Sequence, residues 1–162
     1  MHGFPAYVGI GSNLRDPEAQ VRAALAALAS LPRTPLLRCS SLYGSRPMGP
    51  VAQPDFCNAV AALLTELDAD ALFAALRALE RQLGREPSRE RWGPRVIDLD
   101  LLVYGEERRA GADLTLPHPG LAERNFVLQP LCEIAPDLIV PGLGRVGTLA
   151  AQVPTTGLWR MA

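Results

Sequence analysis

The chain has 162 residues, of which 48% are hydrophobic and 20% are charged, and its formal net charge at pH 7 is −1. This length and composition predict one globular domain over residues 1–162 with a sizeable buried core. Because the net charge is close to zero, a general attraction to nucleic acid or to an anionic membrane is excluded, and any site for an anion must be local.

Strand-like and helix-like segments alternate in the first part of the chain. Residues 7–10 predict a short first strand, and Gly11-Ser12-Asn13 predicts the turn that follows it. Asp16-Pro17-Glu18 is typical of a helix start, because it combines a capping side chain, a proline at the first helical position and an acidic residue. Pro32 ends the helical pattern, and residues 36–43 predict a second strand.

A long loop and a second helix come next. Residues 44–55 hold two glycines and three prolines and predict a loop whose length favours a functional role. Residues 57–67 predict a third strand, and Asp68 begins a helix that ends at Gly84. An arginine-rich loop over residues 85–94 and an apolar strand complete a β-α-β-β-α-β order.

This order predicts an α+β fold, a ferredoxin-like βαββαβ sandwich with its helices on one face of the sheet. After Gly105 the pattern weakens, and Pro117-His118-Pro119 predicts a rigid extended turn. Residues 123–135 predict a helix broken near Pro130. Residues 138–162 are rich in glycine and proline and predict an irregular C-terminal extension.

The cysteines do not suggest a disulfide scaffold or a zinc site. Cys39, Cys57 and Cys132 are odd in number and show no C-x-x-C spacing. The N-terminus lacks the pattern of a signal peptide, and no apolar run is long enough to span a membrane. We therefore expect a cytoplasmic protein.

Two aspartates lie within an apolar, strand-like run over residues 96–104. Because side chains two apart in a strand point to the same face, Asp98 and Asp100 should project side by side. Two unpaired carboxylates on one buried face repel each other and are costly to desolvate, and a bound cation removes that cost. Oxygen ligands without cysteine or histidine beside them suit Mg²⁺.

The aspartates and the arginines upstream of them also have purely structural interpretations. The strand could be a solvated edge, or each aspartate could pair with a structural arginine. The upstream arginines could bind phosphate or could pair with neighbouring acids in a solvated loop. The arginines are Arg85, Arg89, Arg91 and Arg95, and the neighbouring acids are Glu86 and Glu90.

The sequence resembles a known family in several segments. Residues 91–102, which read RWGPRVIDLDLL, resemble the signature of the 6-hydroxymethyl-7,8-dihydropterin pyrophosphokinases of folate synthesis. Residues 11–14, 47–58 and 117–126 are similar to other motifs of that family.

The resemblance implies that pyrophosphate passes from ATP to 6-hydroxymethyl-7,8-dihydropterin and that AMP leaves. It implies that Asp98 and Asp100 hold two Mg²⁺ ions and that Arg85 and Arg95 also act in catalysis as phosphate clamps. The pterin-binding residues that it implies are Ser45, Arg46, Met48, Phe56, Asn58, Trp92 and Phe126. The ATP-binding residues that it implies are Arg77, Glu80, Arg85, Trp92, Arg95, Thr115, His118 and Arg124.

Structural alternatives exist for several of these residues. Phe56 and Phe126 could pack in the core, Trp92 could anchor its loop, and the two residues on the second helix could lie on a solvated face. The sequence also departs from the family pattern. Pro87 stands where many members carry a loop arginine, and Arg89 is the candidate to replace it.

Two other functions fit the sequence less well than pyrophosphate transfer. Nucleotidyl transferases also combine Gly-Ser with Asp-x-Asp, but their two motifs lie close together in sequence, whereas Ser12 and Asp98 are far apart. A ferredoxin-like RNA-binding module would need exposed aromatic residues and a basic face, and only 6% of the residues are aromatic. We therefore expect ATP and the pterin as partners, no nucleic acid or membrane, and a monomer.

Overall fold

The computed structural model describes residues 3–84 and 96–161. In chain order its elements are β1 (Phe4–Ser12), α1 (Pro17–Leu28), β2 (Leu36–Cys39), β3 (Tyr43–Ser45), β4 (Phe56–Thr65), α2 (Ala69–Gln82), β5 (Asp98–Tyr104), β6 (Arg109–Ala110), β7 (Thr115–Leu116), α3 (Asn125–Ile134), β8 (Ile139–Val140), β9 (Gly144–Arg145), α4 (Val146–Ala151) and β10 (Leu158–Arg160). A short 3-10 helix at Leu121–Glu123 precedes α3. The fold is therefore mixed α/β, as the sequence predicts.

The main sheet is antiparallel, with β1 between β4 and β5. Its strand order is β10-β3-β4-β1-β5, and β2 also pairs with β4. Ala6, Val8 and Ile10 of β1 are buried on one face because side chains alternate along a strand. The opposite face of β1 presents Tyr7, Gly9 and Gly11, and its two glycines lie at the site described below.

Helices α1 and α2 cover the face that holds Ala6 and Val8. Both begin as the sequence predicts, since the Asp16 and Asp68 carboxylates accept hydrogen bonds from backbone N–H groups in the first turn, at 3.4 and 2.8 Å. Their apolar residues share one core with the strands. The buried residues of α2 within this core are Ala69, Leu72, Leu76 and Leu79.

The other face of the sheet is covered by α3 and α4. A second core joins Val60 of β4 and Leu102 of β5 to Leu131 of α3 and Val146 of α4. The C-terminal third therefore adds a second helical layer beyond the β-α-β-β-α-β order, whose own helices α1 and α2 share one core. Within residues 3–84 and 96–161, none of the helices combines the length and the hydrophobicity that crossing a bilayer requires.

Two strand boundaries differ from the sequence prediction. The first strand runs over Phe4–Ser12, so the predicted turn residues Gly11 and Ser12 belong to the strand. The predicted second strand is divided into β2 and β3, because Val60 N–H donates to the Ser40 hydroxyl, at 2.9 Å, and the regular backbone ladder is interrupted there.

The C-terminal part is more regular than the sequence predicts. Helix α3 continues through Pro130 to Ile134, since one proline removes a single backbone hydrogen bond while Leu128 and Leu131 stay fully buried. The expected irregular extension instead forms β8, β9, α4 and β10. Strand β10 joins the main sheet beside β3.

Candidate active site

Three adjacent strands form the floor of the site. The register places Gly11 of β1 between Asn58 of β4 and Asp98 of β5, and it places Gly9 opposite Asp100 in the next row. A Cβ atom on Gly11 would lie 3.3 Å from Asn58 Oδ1, tighter than most real contacts of a Cβ atom. The two glycines therefore leave a trough between the asparagine and the aspartates.

A cavity of about 250 Å³ lies over this trough. Its lining residues are Gly9, Ile10, Gly11, Ser45, Arg46, Met48, Gln53, Phe56, Asn58, Ala59, Asp98, Asp100, Arg124, Phe126 and Val127. The structure thus brings together, around one cavity, the predicted metal ligands and most of the predicted pterin-binding residues.

The acidic pair projects from β5 toward the cavity. Asp98 and Asp100 both line it, as expected for residues two apart in a strand. Among the described residues no group of three or more acidic, histidine or cysteine side chains is placed to hold a metal ion. Two carboxylates beside open space fit Mg²⁺, which commonly takes one or two protein carboxylates and completes its shell with water and phosphate oxygens.

His118 stands beside the acidic pair. Its Nε2 atom lies 4.0 Å from Asp100 Oδ2, and its Nδ1 atom accepts a hydrogen bond from Gly120 N–H at 3.1 Å. An Nδ1 that accepts a hydrogen bond carries no proton, so a neutral His118 directs its Nε2–H toward Asp100. Burial lowers the pKa of His118 below its usual value, and Arg124 and Arg77 act in the same direction, while Asp100 opposes them.

Asn58 connects β4 to β3 at the other end of the trough. It is 3% exposed, and its Nδ2 donates to Ser45 Oγ at 2.7 Å and to Tyr43 O at 3.3 Å. Its Oδ1 accepts no hydrogen bond from the described residues and faces the trough beside Gly11. An acceptor is therefore available to a ligand in the cavity.

Aromatic and cationic side chains border the cavity on two sides. Phe56 comes from the first position of β4, and Phe126 comes from the first turn of α3. The Arg124 guanidinium lies 5.8 Å from the centre of the Phe126 ring. A flat ligand between the two phenylalanines would therefore lie close to a positive charge.

The loop between β3 and β4 is fastened at its far end. Asn13 Nδ2 donates to Gln53 Oε1 at 2.8 Å and to Pro54 O at 2.9 Å. Asn13 is 1% exposed, so these bonds are shielded from water. The Gly-Ser-Asn segment thus holds the loop that contributes Arg46, Met48 and Gln53 to the cavity.

Four described residues that were predicted to bind ATP do not line the cavity: His118, which lies beside Asp100, and Arg77, Glu80 and Thr115. Arg77 and Glu80 of α2 contact the backbone of Leu99 at the outer edge of β5. Thr115 lies in β7, paired with Ala110 of β6. The predicted roles of Arg85, Trp92 and Arg95 lie outside the described residues.

Sequence reasoning missed Gly9, Gly11 and Gln53 as parts of the site. The two glycines alternate along β1, and a glycine at every second position of a strand often marks a close backbone approach. Gln53 belongs to a motif that the sequence does single out, but the motif alone does not indicate that its side chain meets Asn13.

An α/β fold that holds a small-molecule cavity against two carboxylates of β5 suits an enzyme of the phosphate-transferring class. Residues 7–136 match the sequence profile of the 7,8-dihydro-6-hydroxymethylpterin-pyrophosphokinase (HPPK) family. The chain belongs to this family, and the resemblance seen in its motifs is confirmed.

Bacterial relatives match almost the whole chain. The chain is 45% identical over 147 residues to the 2-amino-4-hydroxy-6-hydroxymethyldihydropteridine pyrophosphokinase of Haemophilus influenzae, and the match covers 91% of each chain. It is 45% identical over 155 residues to the enzyme of the same name from Pseudomonas aeruginosa, with 96% of this chain and 95% of that one covered.

Solved structures share the fold at low sequence identity. Wild-type Plasmodium falciparum HPPK-DHPS with pteroate matches with a TM-score of 0.69 at 11% identity. A triple mutant of the same protein with STZ-DHP matches with a TM-score of 0.74, also at 11% identity. The matches cover 93% of this chain but only 42% and 43% of those longer chains, so they bear on the fold alone.

Proposed function

We propose that this protein transfers pyrophosphate from ATP to the hydroxymethyl group of 6-hydroxymethyl-7,8-dihydropterin. In this reaction the hydroxymethyl oxygen bonds to the β-phosphorus, the bond between that phosphorus and the oxygen bridging to the α-phosphate breaks, AMP leaves and the hydroxyl proton is released. The observation that carries the proposal is the row of Asn58, Gly11 and Asp98 across three strands. This row joins a polar, aromatic pocket for a flat ring to an acidic pair suited to a metal-bound triphosphate.

The pterin lies over Gly11 in this proposal. Phe56 and Phe126 stack on its faces, and Asn58 Oδ1 accepts a hydrogen bond from its amide-like edge. Ser45 holds the Asn58 amide in place through the 2.7 Å hydrogen bond. Arg46 and Met48 border the same side of the cavity, and Trp92 is proposed to cover it.

The triphosphate lies along β5 in this proposal. Asp98 and Asp100 hold two Mg²⁺ ions, which when bound neutralise charge on the attacking and leaving oxygens. Arg124 supplies a positive charge at the cavity, and neutral His118 offers a hydrogen bond from Nε2. Further ATP contacts from Arg77, Glu80 and Thr115, and phosphate clamps from Arg85 and Arg95, stay predictions from the sequence.

The proposal also extends to topology. The order β3-β4-β1-β5, with α1 and α2 packed in one core, supports a ferredoxin-like βαββαβ unit. Strand β10 and helices α3 and α4 are then additions to that unit. A monomeric state and a cytoplasmic location stay predictions from the sequence.

Product analysis tests the proposed reaction. The protein is incubated with ATP, Mg²⁺ and 6-hydroxymethyl-7,8-dihydropterin, and AMP and the pterin diphosphate are quantified by chromatography. We expect equal amounts of both products from the natural chain and no turnover in excess EDTA. We expect Asp98→Ala to lose at least about a thousandfold in kcat, because charge stabilisation by metal ions carries most of this chemistry. Formation of ADP, release of free pyrophosphate, or unchanged turnover in EDTA would show that the proposal is wrong.

A further inference from the structure

The outer edge of β5 lies directly behind the acidic pair. Strand β5 is an edge strand of the main sheet. Among the described residues it pairs with β1 and with no other strand. Leu99 stands between Asp98 and Asp100, and its N–H and C=O groups point away from β1. Backbone groups on such an edge need partners from side chains or water.

Two side chains of α2 supply these partners. Glu80 Oε2 accepts a hydrogen bond from Leu99 N–H at 2.7 Å, and Arg77 donates to Leu99 C=O. Arg77 Nε lies 3.1 Å from Glu80 Oε1, so the two side chains also form an ion pair. Together they make the pair of bonds that a neighbouring strand would make.

The carboxylate of Glu80 is buried behind the acidic pair. Glu80 is only 2% exposed, and its acceptor atom contacts the residue between Asp98 and Asp100. Burying a charge is costly, and like charges nearby add to the cost. Leu99 is 0% exposed, so this part of the strand edge is covered rather than open to water, and the ion pair with Arg77 offsets part of the cost of burying the Glu80 charge.

We propose that Glu80, assisted by Arg77, is a positioning residue for the acidic pair. By holding Leu99 at both its N–H and its C=O, the two side chains fix the twist of β5 and so fix the angle at which Asp98 and Asp100 enter the cavity. This inference rests on the proposed function. It differs from the direct ATP contact that the sequence predicts for these residues, because one oxygen of Glu80 and one nitrogen of Arg77 bond to the strand.

A positioning role for Glu80 should affect metal binding but not pterin binding. Asn58 lies across Gly11 from Asp98, Phe56 lies in β4 and Phe126 lies in α3. These residues should therefore be indifferent to the brace that Glu80 and Arg77 form on Leu99. Loss of the brace should therefore change the Mg²⁺ dependence and leave the pterin KM nearly constant. A residue that only stabilises the fold would not separate these two quantities.

The test compares Glu80→Leu with Glu80→Gln. Both are titrated with Mg²⁺ in the activity assay, and Mn²⁺ binding to the protein with α,β-methylene-ATP is measured directly by electron paramagnetic resonance. We expect Glu80→Leu to weaken metal binding roughly tenfold or more, as removal of outer partners of metal ligands usually does. We expect its pterin KM to stay within about twofold of the natural value.

Glu80→Gln should restore metal binding to within about threefold of the natural protein, because its amide oxygen can still accept from Leu99 N–H. If Glu80→Gln instead weakens metal binding as much as Glu80→Leu does, the charge of Glu80 matters rather than the brace, and the inference is overturned. An equal change in pterin KM and Mg²⁺ dependence would also overturn it, since it would indicate general loosening.

Leu72→Ala is the matched control for lost stability. Leu72 is fully buried on the same helix but contacts the apolar core. We expect this variant to melt at a lower temperature with unchanged Mn²⁺ affinity. If Glu80→Leu does not fold, Arg77→Met removes the other arm of the brace, and weaker Mn²⁺ binding is again the expected result.

The two proposals fail in different ways. If the natural protein makes no AMP and pterin diphosphate, the proposed function is wrong, and the Mn²⁺ measurement still tests the brace. If the natural protein is active and Glu80→Leu binds Mn²⁺ normally, the positioning role alone is wrong.

Discussion

Asn58 has a buried side-chain amide whose nitrogen is held by the protein and whose oxygen faces the cavity. Its Nδ2 is occupied by Ser45 Oγ and by the Tyr43 carbonyl, whereas its Oδ1 faces the trough over Gly11. Two donated bonds fix the orientation of the amide, so the acceptor is presented to a ligand without further ordering. Such preorganisation favours specificity for a ring with an N–H donor at its edge.

Replacement of Asn58 by Leu should therefore weaken pterin binding selectively. We expect the pterin KM to rise about 10- to 100-fold, since a lost hydrogen bond that leaves a polar group unpaired costs about 1–3 kcal/mol. The KM for ATP should stay within about twofold. Steady-state kinetics with each substrate varied in turn measures both constants.

Gln129→Leu is the matched control for this change. Gln129 is also a partly buried amide, and its Nε2 donates to Ala150 O at 3.2 Å, but it does not line the cavity. Its pterin KM should match that of the natural chain. A rise in both KM values for Asn58→Leu would contradict a role specific to the pterin.

At the scale of single residues, the sequence predicts part of the site. Asp98 and Asp100 could be assigned to one face because a strand has a period of two. Gly11 could not be assigned to the floor, because a Gly-Ser-Asn segment also favours a turn and only the register with β4 and β5 shows otherwise. The contact of Glu80 with Leu99 joins a helix to a strand edge, and no local pattern predicts it.

One carboxylate links three elements at the edge of the sheet. Glu133 of α3 accepts hydrogen bonds from Ser41 N–H at 3.0 Å and from the Tyr43 hydroxyl at 2.7 Å, and Arg160 of β10 lies 3.5 Å away. Burial alone would raise the pKa of Glu133, but the bonds from Tyr43 and Ser41 outweigh it and lower the pKa. Burial, with the bond to Glu133, raises the pKa of Tyr43 to about 12.

The stability contributed by Glu133 should depend on pH. Since the pKa of Glu133 is lower in the folded protein than its ordinary 4.5, its contribution is complete above that value and is lost as pH falls through the folded pKa. We expect Glu133→Gln to lower the free energy of unfolding by about 1–2 kcal/mol at pH 7. Urea unfolding of both proteins between pH 7 and pH 3 should show this difference shrinking as the pH falls. A difference that stays constant over that range would contradict the assignment.

Strand β10 supports β3 from the C-terminal end of the chain. Trp159 pairs with Gly44, and a Cβ atom on Gly44 would overlap the indole ring, so the ring occupies the space above the glycine. Arg46 N–H also donates to Gly157 O at 2.9 Å. The C-terminal segment therefore holds the strand that carries Ser45 to the cavity.

Trp159→Ala should loosen β3 and weaken pterin binding. We expect a loss of about 1–2 kcal/mol in the free energy of unfolding, given the partial exposure of the ring, and a rise of about threefold in pterin KM. Urea unfolding and steady-state kinetics measure these effects. Ile139→Ala is the matched control, because Ile139 is a large exposed side chain in β8, away from the main sheet. If the pterin KM of Trp159→Ala equals that of the natural chain, β10 does not support β3 in the way proposed.

At the scale of elements, long periodic segments were predictable and short ones were not. Helix α2 was predicted from its apolar stripe and its Asp68 cap, and the structure confirms both. Strand β10 has three residues and no periodic pattern, so its place depends on the fit of Trp159 over Gly44. The division of residues 36–43 into two strands depends on the Ser40 hydroxyl, which the apolar pattern does not reveal.

Across the whole molecule, the sheet separates a mainly structural layer from the layer that forms the cavity. Helices α1 and α2 pack on one face, whereas the cavity lies on the other face beside the start of α3. Different side chains bond to its two sides. Asn13 bonds to the loop before β4 and Ser45 bonds to Asn58, whereas Glu80 and Arg77 bond to Leu99 between the aspartates.

Because different side chains hold the two sides of the cavity, the pterin and the nucleotide should each stabilise the protein through its own set of residues. A ligand at 100 times its Kd raises the free energy of unfolding by about 2.7 kcal/mol, which should raise Tm by about 5–10 °C for a chain of this size. We expect such a rise with the pterin alone and with α,β-methylene-ATP plus Mg²⁺, measured by differential scanning calorimetry. EDTA should abolish the nucleotide effect only.

Two variants should separate the effects. Asp98→Asn should lose the rise in Tm with nucleotide and keep the rise with pterin, and Asn58→Leu should show the reverse. Loss of both effects in either variant would mean that the two sides form one cooperative site, because removal of either support would then disorder the other.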